Sequence, residues 1–376
     1  MTRSVRRIAG LVLYNLGTTL VLVLALEGMA SIYYTFREAF ASESVAESFY
    51  TEYDRDLGWV NLPNVYLPNM YGPGKYLRTN SQRFRNNADF TPQVPPGKTR
   101  IICSGDSFTL GFGVDNDHAW PQLLATHSPN IETVNMGQGG YGADQAYLWY
   151  KRDGMVMDHD IQIFALIAPD FYRMQYAEYN GYGKPKLAVK NDRLITTNVP
   201  VPRSMVVRSP GLARAASALS HLSITRLLRR VFRLDTAPVV TQTQEERDAE
   251  TSLALSHMLD DLLATNRAKA SVLVLAYLPT REEYFANLGA SWRNFLAQYA
   301  HQRGILYLDF TDDFQRLALE EEDKFFIARG AIDFPGAAGH YTEVGNAFIA
   351  DLFYRRLLAN PETATKLHAQ TVGAAP

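Results

Sequence analysis

From Arg100 onward the chain alternates short apolar runs with longer amphipathic stretches, and this rhythm restricts the fold more than any other feature. It predicts parallel strands joined by helices. The candidate strands are 100–103, 132–135, 161–167, 271–278 and 305–310. The candidate helices are 120–127, 143–155, 245–267, 292–303 and 343–358. Together they describe a three-layer α/β/α sandwich around a central five-stranded parallel sheet, whose ligand site belongs at the carboxyl ends of the strands.

The regions around this core differ in character. Arg3, Arg6 and Arg7 precede an apolar run from Ile8 to about Leu26, close to the length a bilayer core demands of a helix. We read it as an uncleaved transmembrane helix with a cytoplasmic amino terminus, which places the rest of the protein on the periplasmic or extracellular side of the inner or plasma membrane. The competing reading is a signal peptide cleaved near Gly28-Met29-Ala30; the length of the run and Glu27 weigh against it. Residues 38–52 suggest a short helical stalk, and Tyr53 to Pro96 is dense in Pro, Asn, Gly and Tyr, the composition of turns and short strands. The expected organisation is a basic segment and anchor over 1–35, a stalk and β-rich lead-in over 36–97, the main domain over 98–362 and a flexible tail over 363–376. Tyr176 to Val240 is too long for a simple connection and reads as an insertion, about 176–240. Its second half carries Arg203, Arg208, Arg214, Arg226, Arg229, Arg230 and Arg233 before any acidic residue, which fits a solvated basic helix pair, or a lid or surface facing anionic groups.

Composition removes several function classes. A net charge of -2 and a pI near 6.5 provide no field that would draw nucleic acid. The single cysteine, Cys103, cannot form an internal disulfide, and no Cys/His cluster has zinc spacing. Without a phosphate loop of Walker spacing either, neither a metal nor an organic cofactor is expected.

The chemistry concentrates in Ile101-Ile102-Cys103-Ser104-Gly105-Asp106-Ser107-Phe108-Thr109-Leu110-Gly111. An apolar strand runs into Gly-Asp-Ser, so Ser107 falls where a strand ends and a helix begins. There its hydroxyl can attack a carbonyl and its N–H can stabilise an oxyanion; a serine serving only as a helix cap would occupy the same place.

Two further blocks follow in order, Val134-Asn135-Met136-Gly137-Gln138-Gly139-Gly140-Tyr141-Gly142 and Gly339-His340-Tyr341-Thr342-Glu343-Val344-Gly345. With Gly105-Asp106-Ser107 they resemble the blocks of the SGNH (GDSL-type) serine hydrolase family across roughly residues 98 to 360. The resemblance implies a flavodoxin-like sandwich, Ser107 as nucleophile, His340 as its base and Gly140 as an oxyanion N–H donor, with Asp106 and Asn135 in support. Two positions depart from the family. Where the third block presents Gly-x-Asn-Asp, this chain has Ile167-Ala168-Pro169-Asp170; proline offers no donor, which leaves Asn135, Gln138, Tyr172 or Arg173 to substitute and Asp170 to order the loop. Where the family has an aspartate three residues before the histidine, this chain has Ala337. Asp333 is the expected triad acid, with a backbone carbonyl, Asp309 or Asp313 as alternatives.

The expected activity is that of an extracytoplasmic serine esterase cleaving an acyl, most simply acetyl, ester of a glycan or similar polymer. Alternatives are an O-acyltransferase acting on an exopolysaccharide, or a silent glycan-binding or assembly protein. In the last case Tyr53, Trp59, Tyr66, Tyr71 and Tyr76 would stack on sugars instead of packing.

Overall fold

The computed structural model describes residues 11–22, 24–25, 28–29, 49–203, 242–286, 288–318 and 321–368. The chain divides into two compact units, Met1–Glu43 with Met205–Thr241 and Ser44–Ser204 with Gln242–Pro376. In the first, residues 11–22, 24–25 and 28–29 are helical, and Leu11, Leu13, Tyr14, Leu16 and Val21 are exposed. Among the described residues no helix is long and apolar enough to cross a membrane. Residues 8–10, 23 and 26 of the expected span lie outside those described, as does the basic stretch from Arg208 to Arg233.

The second unit opens with two hairpins, β1 (Thr51–Asp54) with β2 (Gly58–Asn61) and β3 (Tyr66–Leu67) with β4 (Leu77–Arg78). Thr51 and Glu52 thus belong to a strand, not to a helical stalk. Then come β5 (Thr99–Gly105), α1 (Ser107–Leu110), α2 (Trp120–Thr126), β6 (Ile131–Gly137), α3 (Ala143–Trp149), β7 (Ile161–Leu166) and α4 (Ala168–Met174). An inserted arm follows as two hairpins, β8 (Glu178–Tyr179) with β9 (Tyr182–Gly183) and β10 (Lys186–Lys190) with β11 (Arg193–Thr197). The sandwich resumes with α5 (Gln244–Ala268), β12 (Val272–Tyr277), α6 (Arg281–Phe285), α7 (Ala290–Arg303) and β13 (Leu306–Asp309). It closes with α8 (Thr311–Gln315), α9 (Glu322–Phe325), α10 (Glu343–Ala359) and α11 (Pro361–His368).

The five expected strands form one parallel sheet in the order β13-β12-β7-β5-β6. Helices cover both of its faces. Val134, Phe164 and Leu275 point into a core closed by α3, α5 and α7, while Cys103, Ile163 and Val274 point into one closed by α2 and α10. From β5 the chain moves outward on one side to β6 and then crosses back to β7 on the other, so strand order reverses beside β5 and a crevice opens there at the carboxyl edge.

Lys184 pins the inserted arm to this core. Its Nζ lies 2.6 Å from Asp144 Oδ2 on the first turn of α3, and both side chains are fully buried. Residues 363–368, expected within a flexible tail, complete α11, where Thr363 and Leu367 are buried and Thr99 Oγ1 donates to the Lys366 carbonyl at 2.8 Å.

Candidate active site

Ser107 is the first residue of α1, directly after the strand at the topological switch. Asp106 caps this short helix by accepting from the Phe108 N–H at 2.8 Å, which fixes the sharp turn out of β5. The far end of α1 is held by Arg85, a fully buried lead-in residue. Its guanidinium donates to the carbonyls of Leu110 at 2.6 Å, Gly111 at 2.5 Å and Val114 at 2.5 Å, and to Asn116 Oδ1 at 2.9 Å. Orphan carbonyls at a helix end need donors, and here one cation supplies several.

His340 reaches the nucleophile from the loop before α10, and its Nε2 lies 2.7 Å from Ser107 Oγ. The loop is stapled to its neighbour. Ile327 N–H donates to the His340 carbonyl at 2.8 Å and Gly339 N–H to the Ile327 carbonyl at 2.9 Å. The imidazole packs against Phe108 and Phe112, at ring-centroid separations of 4.6 and 5.3 Å. Burial pushes its pKa down from 6.5 to about 4, Asp106 opposing this shift and Arg173 adding to it. At neutral pH the ring is therefore unprotonated and able to accept the serine proton.

His340 Nδ1 lies 3.3 Å from the Ala337 carbonyl, so with that nitrogen protonated a backbone acceptor orients the ring. Asp333 does not take this place: it is exposed, and among the described residues no hydrogen bond joins it to His340. Asp309 accepts from the Thr311 N–H at 2.9 Å and from Arg293 at 3.3 Å, and Asp313 pairs with Arg356. The carboxylate that acts on His340 is instead Asp106, whose Oδ2 lies 3.3 Å from Ser107 Oγ. The sequence puts Asp333 first and a backbone carbonyl among the alternatives; in the structure the Ala337 carbonyl does the orienting.

The oxyanion side is built on the neighbouring strand. Gly105 and Gly137 are register partners, and Gln138 N–H donates to the Gly105 carbonyl at 3.2 Å, so the loop bearing Gly140 leaves the sheet beside the nucleophile. Gly140 has φ +74°, a conformation that glycine adopts without strain. Among the described residues no acceptor takes the N–H of Ser107 or of Gly140. Both remain available to a substrate oxygen.

Three of the candidate substitutes for the missing asparagine do not face this space freely. Asn135 spends its side chain on the Gly137 N–H at 2.9 Å and Gln122 Oε1 at 3.2 Å, shaping the end of β6. Gln138 donates to Asn61 Oδ1 at 2.7 Å, and Tyr172 is 44% exposed. Arg173 is the one that reaches the site. Its Nη1 lies 3.0 Å from Asp106 Oδ2, 3.0 Å from the Tyr141 carbonyl and 2.8 Å from Asp170 Oδ1. Asp170 also accepts from the Ile167 N–H at 3.0 Å, ordering the turn after β7. Burial and the nearby Asp106 push its pKa well up, with Arg173 opposing.

The lead-in braces the oxyanion loop. Trp59 Nε1 donates to the Gly139 carbonyl at 2.9 Å, Tyr141 Oη to the Trp59 carbonyl at 2.5 Å, and Gln145 Nε2 to the Leu57 carbonyl at 2.8 Å. Trp59 and Tyr71 are fully buried and therefore pack; they do not present faces to a sugar. Neither Arg85 nor these braces carry a mark in the sequence that would have found them.

Among the described residues one group, Asp115, His118 and Glu343, has ligating atoms within 4.8 Å of one another. Lys75 already pairs with Glu343 at 2.7 Å and Asp115 caps the turn at Asp117, so the group does not suit a cation.

No family model matches the chain, and no curated protein matches it. Solved structures similar to it include a lipolytic protein of the G-D-S-L family from Desulfitobacterium hafniense DCB-2, with TM-score 0.38 and 17% identity, covering 69% of this chain and 99% of that one. An acetyl xylan esterase is similar with TM-score 0.36 and 13% identity, covering 68% of this chain and 98% of that one. A lipase/acylhydrolase from Enterococcus faecalis is similar with TM-score 0.38 and 10% identity, covering 69% of this chain and 96% of that one.

Proposed function

We propose that this chain is a serine esterase of the SGNH type, forming an acyl-enzyme on Ser107. The observation that carries the reading is the 2.7 Å contact between Ser107 Oγ and His340 Nε2 at the carboxyl edge of a parallel sheet, beside two backbone N–H groups that no acceptor takes among the described residues. A silent binding protein would have no need of this pairing, which argues against that alternative. In the reaction, neutral His340 accepts the Ser107 proton as Oγ attacks the ester carbonyl. The N–H groups of Ser107 and Gly140 receive the oxyanion, each such donor being worth about 3 kcal/mol of barrier. His340 then returns the proton to the leaving alkoxide, and a second cycle with water releases the acid.

The natural substrate in this reading is an acylated glycan or similar polymer outside the cytoplasm, and the enzyme is held at the membrane by its amino-terminal segment. Arg3, Arg6 and Arg7 followed by the apolar run support the anchor. Purified protein should hydrolyse p-nitrophenyl acetate, at a rate abolished by S107A. Acyl transfer seen only when a soluble glycan acceptor is added would replace esterase by acyltransferase, and no turnover with or without acceptor would defeat both. A phosphatase reporter that is active only outside the cytoplasm, fused after residue 50, tests the topology; an inactive phosphatase fusion, with a β-galactosidase fusion at the same residue active, would defeat the location.

A further inference from the structure

Pro169 leaves the oxyanion hole without the side-chain donor that Gly-x-Asn-Asp would supply, and one partly buried cation stands beside the gap. Arg173 Nη1 touches Asp106, the residue before the nucleophile, and the carbonyl of Tyr141, the residue after the oxyanion glycine. One nitrogen therefore ties together the two segments whose N–H groups must converge on a single oxygen. Its Nε and Nη2 have no acceptor among the described residues. The guanidinium lies over the Tyr179 ring at 5.3 Å, and Tyr179, from the inserted arm, stacks on Trp59 at 6.3 Å. The insertion and the lead-in thus cover much of this cation and leave its side chain 14% exposed.

Charge makes the same point. Asp106 and Asp170 are both nearly fully buried, and Arg173 is the cation paired with each. A carboxylate beside a forming oxyanion opposes it, and a cation on that carboxylate removes the opposition. We propose that Arg173 is the positioning residue that completes the oxyanion hole in place of the missing asparagine, holding the two backbone donors in register and offsetting Asp106 with its charge. This rests on the esterase reading above.

Its removal should also be felt at His340. The charged groups acting on that ring are Asp106 and Arg173, with Asp170 behind Arg173; Glu343 on the following helix is paired with Lys75, and Glu283 acts on the adjoining Tyr341. With Arg173 neutralised, Asp106 acts unopposed and the imidazole holds its proton to higher pH.

The test is the burst of acylation by p-nitrophenyl acetate in the full chain, followed across pH for the parent, R173M, R173Q and R173K, with thermal melts alongside. R173M and R173Q should acylate about 100-fold more slowly with little change in KM, the loss typical of an oxyanion donor, and their acidic limb should move upward from about pH 4. R173K should keep the limb in place and recover most of the rate. Folded neutral variants with parental rate and limb overturn the proposal, as does R173K impaired as severely as R173M in both. Should R173M not fold, R173Q and R173K decide the same question. A parent protein with no burst and no adduct on Ser107 overturns the esterase reading and this proposal with it, whereas a normal parental burst confines any failure to Arg173.

Discussion

Gly137, at the end of β6, offers a perturbation whose size follows from geometry. A Cβ there would fall 2.0 Å from Leu110 N, 2.5 Å from Leu110 Cα and 2.5 Å from Thr109 C. All three are backbone atoms of α1, the helix that opens with Ser107. Ordinary contact begins near 3.4 Å, so against the 2.0 Å approach G137A forces α1 back by about 1.4 Å. The base cannot follow, because its loop is fastened to Ile327 through the His340 carbonyl at 2.8 Å and the Gly339 N–H at 2.9 Å. A misplacement of about 1 Å costs roughly 100-fold in rate, and overpacking of this kind costs about 1–3 kcal/mol. Steady-state kinetics on p-nitrophenyl acetate should show kcat reduced by about that factor with KM little changed, and urea melts should show the lost stability. A G137A protein with parental kcat and parental stability would refute the placement of α1 against β6.

Other outcomes are equally specific. D333N should leave kcat within about threefold of parent, because Ala337 O orients His340; a loss near 10⁴-fold, as when a triad acid is removed, would restore Asp333 to the triad. The rate should rise through an apparent pKa near 4 and then stay level through neutral pH, since His340 must be neutral to act; a limb at 6.5 or above would contradict its buried setting. In stability the sign is that of a lowered histidine: the unfolded ring binds its proton first, so stability falls as pH drops from about 6.5 toward 4, and H340Q should flatten that slope in urea melts. K184M strands the buried Asp144 carboxylate and should cost about 3–5 kcal/mol in urea melts, with K184M/D144L recovering much of the loss; equal stability of all three would show the pair to be unimportant.

The sheet and its edge chemistry are legible in the sequence because the strands appear as short apolar stretches alternating with longer amphipathic ones, and Ser107 and Gly140 follow two of them. His340 is visible through its glycine-flanked loop ahead of an amphipathic helix. What cannot be read depends on long-range pairing. Arg85 sits in an Asn-rich turn and looks like an ordinary surface cation until its guanidinium is seen among three carbonyls. Lys184 and Asp144 are 40 residues apart, and no local pattern marks them as buried partners. Arg173 is one of four substitutes for the missing asparagine that the sequence offers, and only the positions of Asp106 and Tyr141 select it. Asp333 ranks ahead of a backbone carbonyl in the sequence for a related reason: sequence displays side chains, whereas the group that meets His340 Nδ1 is the main-chain oxygen of Ala337.

An activated serine at residue 107 should react with a fluorophosphonate, since displacement of fluoride by an activated hydroxyl leaves a stable adduct. Mass spectrometry of the labelled, folded protein should find one adduct, on Ser107, absent from S107A and formed far more slowly in H340Q. Folded protein that takes no label at Ser107, or labels as fast without His340 as with it, would contradict the account.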